Sequence, residues 1–136
     1  MSRNLTLSDV MTPAPRTISV DAHLSDAQAL MEELGVEQLP VMAGNVVEAV
    51  VFARDIARFT LPAHKLTREE DLLVGDIATT KAYVAESTDP LISVLERMVS
   101  NHASAVIVLN QGELAGIFTE GDACRVLAGI LAGQNG

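Results

Sequence analysis

The sequence predicts an α/β protein of the mixed α+β kind, built as one strand–helix–strand–strand–helix unit written twice, and three observations predict it. Displacing the chain by 67 positions superposes Asp9 on Asp76, Thr12 on Thr79, Leu24 on Leu91, Met31 on Met98, Val41 on Val108, Asp55 on Asp122 and Arg58 on Arg125. The apolar pattern travels with these identities: Leu39, Val41, Val47, Val50 and Val51 fall on Val106, Val108, Leu114, Ile117 and Phe118. Each copy also carries an apolar helical stripe followed by two apolar runs around a Gly/Asn turn. A repeat of this length exceeds the roughly 20–50 residues of solenoids and propellers, so paired copies of a small α/β unit fit better than an array.

Copy one is expected over residues 1–60, opening on the cap Asp9-Val10-Met11-Thr12, and copy two over 74–132, opening on Asp76-Ile77-Ala78-Thr79. A linker over 61–73 and a frayed tail over 133–136 complete the chain. Thr17-Ile18-Ser19-Val20 and Tyr83-Val84-Ala85-Glu86 read as short strands from their β-branched and aromatic content. The helix after the first strand shows Leu24, Ala27, Leu30, Met31 and Leu34 on one face, with Glu32 and Glu33 on the wet side. Its counterpart shows Leu91, Val94, Leu95, Met98 and Val99, with Asp89 as N-cap and Pro90 at the first helical position.

Two hairpins come next: Gln38 to Met42 with Val46 to Phe52 around Gly44-Asn45, and Ala105 to Leu109 with Leu114 to Thr119 around Asn110-Gln111-Gly112. Gly and Asn supply the positive φ of such turns. The runs are apolar at nearly every position, as expected for strands covered on both faces. Closing helices start near Arg54 and Glu120. In the linker, Thr67 followed by Glu70 has the form of a capping box and predicts one short helical turn.

Composition narrows the function. With 136 residues the chain can bury a core of its own, and with 3% aromatic residues and no Trp that core is built from Val, Ile, Leu, Ala and Met. A net charge of −9 opposes binding to a phosphate backbone, so nucleic acid is excluded as a partner. The lone Cys124 excludes an intramolecular disulfide, and with no Cys/His cluster there is no case for structural zinc. Its helical setting predicts a packed thiol. No stretch reaches membrane-spanning length and the N-terminus lacks a signal-peptide core, so a cytoplasmic protein without membrane insertion is expected.

The most informative segment is Gly116-Ile117-Phe118-Thr119-Glu120-Gly121-Asp122, which sets a hydroxyl and a carboxylate three residues apart where a buried strand gives way to a helix. Such a junction presents free N–H groups and a positive helix end to a phosphate. There Thr119 can donate to a phosphate oxygen and Asp122 can accept from sugar hydroxyls. The same residues also serve as an N-cap and a first-turn acid, a reading with no ligand in it. His23, His64 and His102 are well separated, and neither a Gly-x-Ser-x-Gly elbow nor a phosphate loop with its Lys occurs, so no catalytic residues are expected.

The Asp-Val-Met-Thr-Pro opening at 9–13, the stretch Gly35-Val36-Glu37-Gln38-Leu39-Pro40-Val41, and Gly116 to Asp122 followed by Arg125 together resemble a tandem pair of CBS domains, a Bateman module. The resemblance covers the chain apart from its tail. It implies two βαββα units with pseudo-twofold symmetry sharing one core, with clefts between the sheets. It implies an adenosine-containing regulatory ligand such as AMP, ADP, ATP or S-adenosylmethionine, with no obligatory cofactor. It carries phosphate contact to Thr119, ribose contact to Asp122, and an adenine wall to Tyr83-Val84-Ala85 and Ser104-Ala105-Val106. Ile18 is the matching wall position in copy one.

Copy one departs from the pattern: Asp55 matches Asp122, but Phe52 stands where copy two has Thr119. The expected outcome is one competent cleft at Asp122 and an altered one at Asp55. Arg54, opposite Gly121 in the repeat, is expected either to reach phosphate or to pair with a surface acid. The resemblance further implies a non-enzymatic sensor that forms a homodimer and signals by conformational change to a regulated protein. The alternative is a ligand-free dimerisation or interaction scaffold.

Overall fold

A reciprocal exchange of opening caps organises the packing of this chain. The computed structural model describes residues 4–60, 72–77 and 83–134. In chain order its elements are α1 (Leu7–Val10), β1 (Thr12–Pro13), β2 (Ile18–Ser19), α2 (Leu24–Leu34), β3 (Gln38–Ala43), β4 (Val46–Phe52), α3 (Ala53–Thr60), α4 (Val74–Ile77), β5 (Val84–Glu86), α5 (Leu91–Asn101), β6 (Ala105–Asn110), β7 (Glu113–Thr119) and α6 (Glu120–Gln134). The fold is mixed α/β with two sheets, one ordered β1-β7-β6-β5 and the other β2-β3-β4.

The packing units cut across the sequence repeats. Arg16–Ala82 forms one compact unit, here the first-copy unit, while Met1–Pro15 joins Tyr83–Gly136 in the other, the second-copy unit. The cap helix α1 therefore packs on copy two, where Leu7 is fully buried and its N–H donates to the Asp89 carbonyl at 3.1 Å. The Ser8 N–H donates to the Ser87 carbonyl at 3.0 Å, and the Leu91 N–H returns a bond to Leu5 at 2.8 Å. In the first-copy unit α4 repeats the arrangement: Val74 donates to Ala22 at 2.9 Å, Gly75 to Val20 at 2.9 Å, and Leu24 returns a bond to Leu72 at 3.0 Å. Every one of these bonds maps onto its partner through the repeat displacement.

Within each unit the local sequence explains the elements. Leu24, Ala27 and Met31 on α2, and Leu91, Val94 and Met98 on α5, are buried at helical spacing against the sheet strands. Both helices end on a left-handed residue, Gly35 with φ +68° and His102 with φ +54°. The α5 start sits one residue later than expected: Pro90 is the N-cap, and the Asp89 carboxylate accepts from the Glu86 N–H at 3.1 Å instead. The hairpins close over two residues, Ala43 pairing with Val46 and Asn110 with Glu113. The positive φ of Gly44 in one turn, and of Gln111 and Gly112 in the other, makes this possible.

Strand β2 runs parallel to β3, and β5 parallel to β6, while β1 adds antiparallel to β7 as an edge. That edge explains Gly116. A Cβ there would lie 2.5 Å from Met11 Sδ and 2.8 Å from the Thr12 carbonyl oxygen, so only glycine lets β1 approach. The helix α6 continues through Gln134, into the stretch expected to fray, because the run Leu127-Ala128-Gly129-Ile130-Leu131-Ala132 is mostly good helix formers. The expected linker turn at Thr67–Glu70 and the second-copy residues Ala78 and Thr79 lie outside the described residues.

Candidate functional site

In the second-copy unit the sheet hands over to α6 at Thr119, and a reciprocal cap fixes the junction. The Thr119 N–H donates to Asp122 Oδ2 at 2.9 Å, and the Asp122 N–H reaches Thr119 Oγ1 at 3.4 Å. The Thr119 hydroxyl donates to Asp122 Oδ2 at 3.2 Å. Asp122 Oδ1 accepts from the Thr12 hydroxyl at 3.1 Å and from the Arg125 guanidinium. Two donors on each oxygen fill the acceptor capacity of the carboxylate, so a side chain only 3% exposed keeps its charge compensated. The structure thus shows the capping arrangement of the Thr119–Asp122 pair, with the ribose candidate serving as the helix cap.

Strand register sorts the expected wall residues. Ala105 pairs with Thr119, Val84 with Ile107, and both Ile107 and Thr12 with Ile117. Directly paired residues and alternate residues along a strand share a face, so Val84, Ala105, Thr119 and Thr12 lie on one face of this sheet. Ala85 lies on the other, packed in the cluster of Leu7, Leu91, Val94 and Phe118. Tyr83 packs against that cluster too, with its hydroxyl buried and without a partner among the described residues. The Ser104 carbonyl is committed to the Glu120 N–H at 3.1 Å.

Thr12 is the residue that sequence reasoning missed. It was legible only as part of the opening Asp-Val-Met-Thr-Pro, and its contact with Asp122 spans 110 positions of sequence.

The equivalent junction of the first-copy unit is built differently. Phe52 is buried at the position of Thr119, and the Arg54 guanidinium lies over its ring, 4.2 Å from the centroid. Asp55 forms an ion pair with Arg58 at 3.4 Å, the counterpart of Asp122 with Arg125. Among the described residues Asp55 has no hydroxyl partner and no reciprocal backbone cap. Ile18 faces the helix-side core of Leu24, Val41 and Ile56. Thr119, Ala105 and Val84 therefore share a face, with Asp122 bonded to Thr119 at the head of α6, whereas Arg54, Asp55 and Ile18 belong to the other unit.

Other expectations meet the structure as follows. Cys124 is exposed, contrary to the packed thiol expected, because α6 turns Asp122, Ala123 and Val126 inward and leaves the next position facing solvent. His102 caps α5 through its backbone, and His23 precedes α2 with its N–H donating to Asp26 at 3.3 Å; both imidazoles are on exposed residues. His64 lies outside the described residues. Among the described residues no cluster of three or more His, Cys, Asp or Glu could hold a metal, and no helix is long and apolar enough to cross a membrane. A pocket of about 250 Å³ between α2 and α3, floored by Met31, Val36 and Ile56, holds none of the expected site residues.

The CBS-domain family model matches residues 7–61 and again 74–129. The chain belongs to the CBS-domain family. No curated protein sequence matches it. Among solved structures, the CBS-pair protein CBSX2 from Arabidopsis thaliana superposes with a TM-score of 0.80 at 24% identity, covering 96% of this chain and 99% of that one. CBSX2 has also been solved in complex with AMP. The CBS domain pair of protein MJ0100, in complex with 5′-methylthioadenosine and S-adenosyl-L-methionine, has a TM-score of 0.80 at 19% identity and coverage of 93% and 98%. The CBS domain of a bacterial CNNM/CorC-family Mg²⁺ transporter in complex with ATP has a TM-score of 0.79 at 22% identity and coverage of 91% and 87%. At these identities the likeness establishes the fold, a tandem CBS pair.

Proposed function

We propose that this CBS pair is a regulatory, non-catalytic module that binds an adenosine-containing ligand at the Thr119–Asp122 junction and passes its occupancy to a partner protein. The observation that carries the reading is the nearly buried Asp122 carboxylate on the face shared by Thr119, Ala105 and Val84. The adenosine ligands of CBSX2, MJ0100 and the CNNM/CorC protein support the ligand class.

The saturated carboxylate is compatible with this role because two of its donors are exchangeable. Arg125 has a side chain 72% exposed and can return to water at small cost. The Thr119 hydroxyl can turn about χ1 toward a phosphate oxygen while its N–H keeps the cap. Their departure frees one acceptor position on each carboxylate oxygen, which is what the vicinal hydroxyls of a ribose require. Ala105 and Val84 then supply an apolar wall beside the base. Occupancy becomes a signal only through different affinities for two conformations of the module.

Calorimetric titration with AMP, ADP, ATP and S-adenosylmethionine tests this. The expected result is binding of at least one of them at one site per chain, lost in Asp122→Ala. Absence of heat with all four, at protein concentrations that reveal high-micromolar affinity, would falsify the reading.

A second reading, a homodimerisation scaffold, is favoured by the exposed apolar side chains Ile92 and Val99 on α5 and Leu127, Ile130 and Leu131 on α6. Sedimentation of the ligand-free protein separates the two. A dimer with no nucleotide affinity selects the scaffold, and a dimer that binds nucleotide makes both roles those of one module.

A further inference from the structure

We propose that Thr12 is a positioning residue for the ligand at Asp122, so that docking of the N-terminal segment and occupancy of the site are linked. The inference rests on the reading above and extends it from where the ligand binds to what controls binding. Asp122 receives one backbone donor, one hydroxyl carried on a paired edge strand, and two further donors, the Thr119 hydroxyl and Arg125. The first is the Thr119 N–H on Oδ2 at 2.9 Å, and the second is the hydroxyl of Thr12, an exposed residue whose backbone is paired with β7, on Oδ1 at 3.1 Å. They hold the carboxylate plane while Arg125 and the Thr119 hydroxyl leave it.

Thr12 has this role because β1 is held from both sides. Its backbone pairs with Ile117 and Gly116 of β7, the Ala14 N–H donates to the Ala115 carbonyl at 3.0 Å, and Met11 packs over the missing Cβ of Gly116. Upstream, the buried Leu7 anchors the segment to the core beneath α5. The segment comes from the opening of copy one, yet it completes the polar environment of the copy-two carboxylate. A ligand that needs Asp122 in this orientation therefore binds more tightly when the segment is docked, and by reciprocity its binding holds the segment in place.

The test titrates AMP, ATP and S-adenosylmethionine into the wild-type chain and into Thr12→Val and Thr12→Ser. Thr12→Val keeps the shape and removes the donor, and it is expected to weaken binding about tenfold, the scale of a hydrogen bond to a charged group. Thr12→Ser is expected to restore binding to within a few-fold of wild type. A merely structural Thr12 would lower the melting temperature and leave the dissociation constant alone. In parallel, hydrogen exchange of the Ala14 amide is expected to slow by about the same factor when the tightest-binding of these probes is saturating. Unchanged or tighter binding by Thr12→Val, or exchange at Ala14 indifferent to the probe, overturns the linkage while the ligand reading stands. A wild-type chain that binds none of the three defeats the ligand reading itself.

Discussion

The strand-to-helix junctions of the two units have the same backbone plan and opposite chemistry. In the second-copy unit the junction is polar and closed on itself, with Thr119, Thr12 and Arg125 converging on Asp122. In the first-copy unit the corresponding place is filled by the Phe52 ring under the Arg54 guanidinium, and among the described residues Asp55 keeps only its ion pair with Arg58. The hydrogen bonds that seat the caps match bond for bond, so the two units share these supports while their strand-to-helix junctions differ.

That comparison can be broken most severely at the caps. Leu7→Ala removes a fully buried side chain from the second-copy core and is expected to cost about 3 kcal/mol. Val74→Ala, its fully buried counterpart under copy one, is expected to cost about 2 kcal/mol. Urea unfolding of both variants measures this, and a cap that can be truncated without moving the midpoint is not part of its unit.

The junctions come next. Asp122→Ala removes a reciprocal cap and the hydrogen bond from Thr12, at an expected cost of about 2 kcal/mol. Asp55→Ala loses a pair whose Arg58 side chain is 69% exposed and is expected to cost about 0.5 kcal/mol or less. Equal losses in the two variants would contradict the assignment of different roles.

The smallest effect is sought at the helix ends. His102 holds φ +54° where Gly35 holds φ +68°, so His102→Gly relieves backbone strain and is expected to stabilise by about 0.5 kcal/mol. Gly35→Ala should destabilise by about 1 kcal/mol, and thermal melts of the pair must move in opposite directions.

The sequence by itself determined every element whose cause is local. Apolar spacing set the faces of α2 and α5, though Val99, expected on the buried face of α5, is exposed; continuous Val/Ile/Leu runs set the strands, and Gly44 and Gly112 set the hairpins, because dihedral preference and periodicity act over a few residues. The repeat displacement also revealed the exchange of Thr119 for Phe52, since equivalent positions can be compared without coordinates. Only the tertiary structure decided which copy each cap serves. Leu7 and Val74 present the same short apolar turn, and nothing local distinguishes a cap that folds onto its own copy from one that crosses to the other. The bond from Thr12 to Asp122 was hidden for the same reason. A hydroxyl and a carboxylate 110 residues apart come within hydrogen-bond distance only when Gly116 lets the edge strand pair with β7.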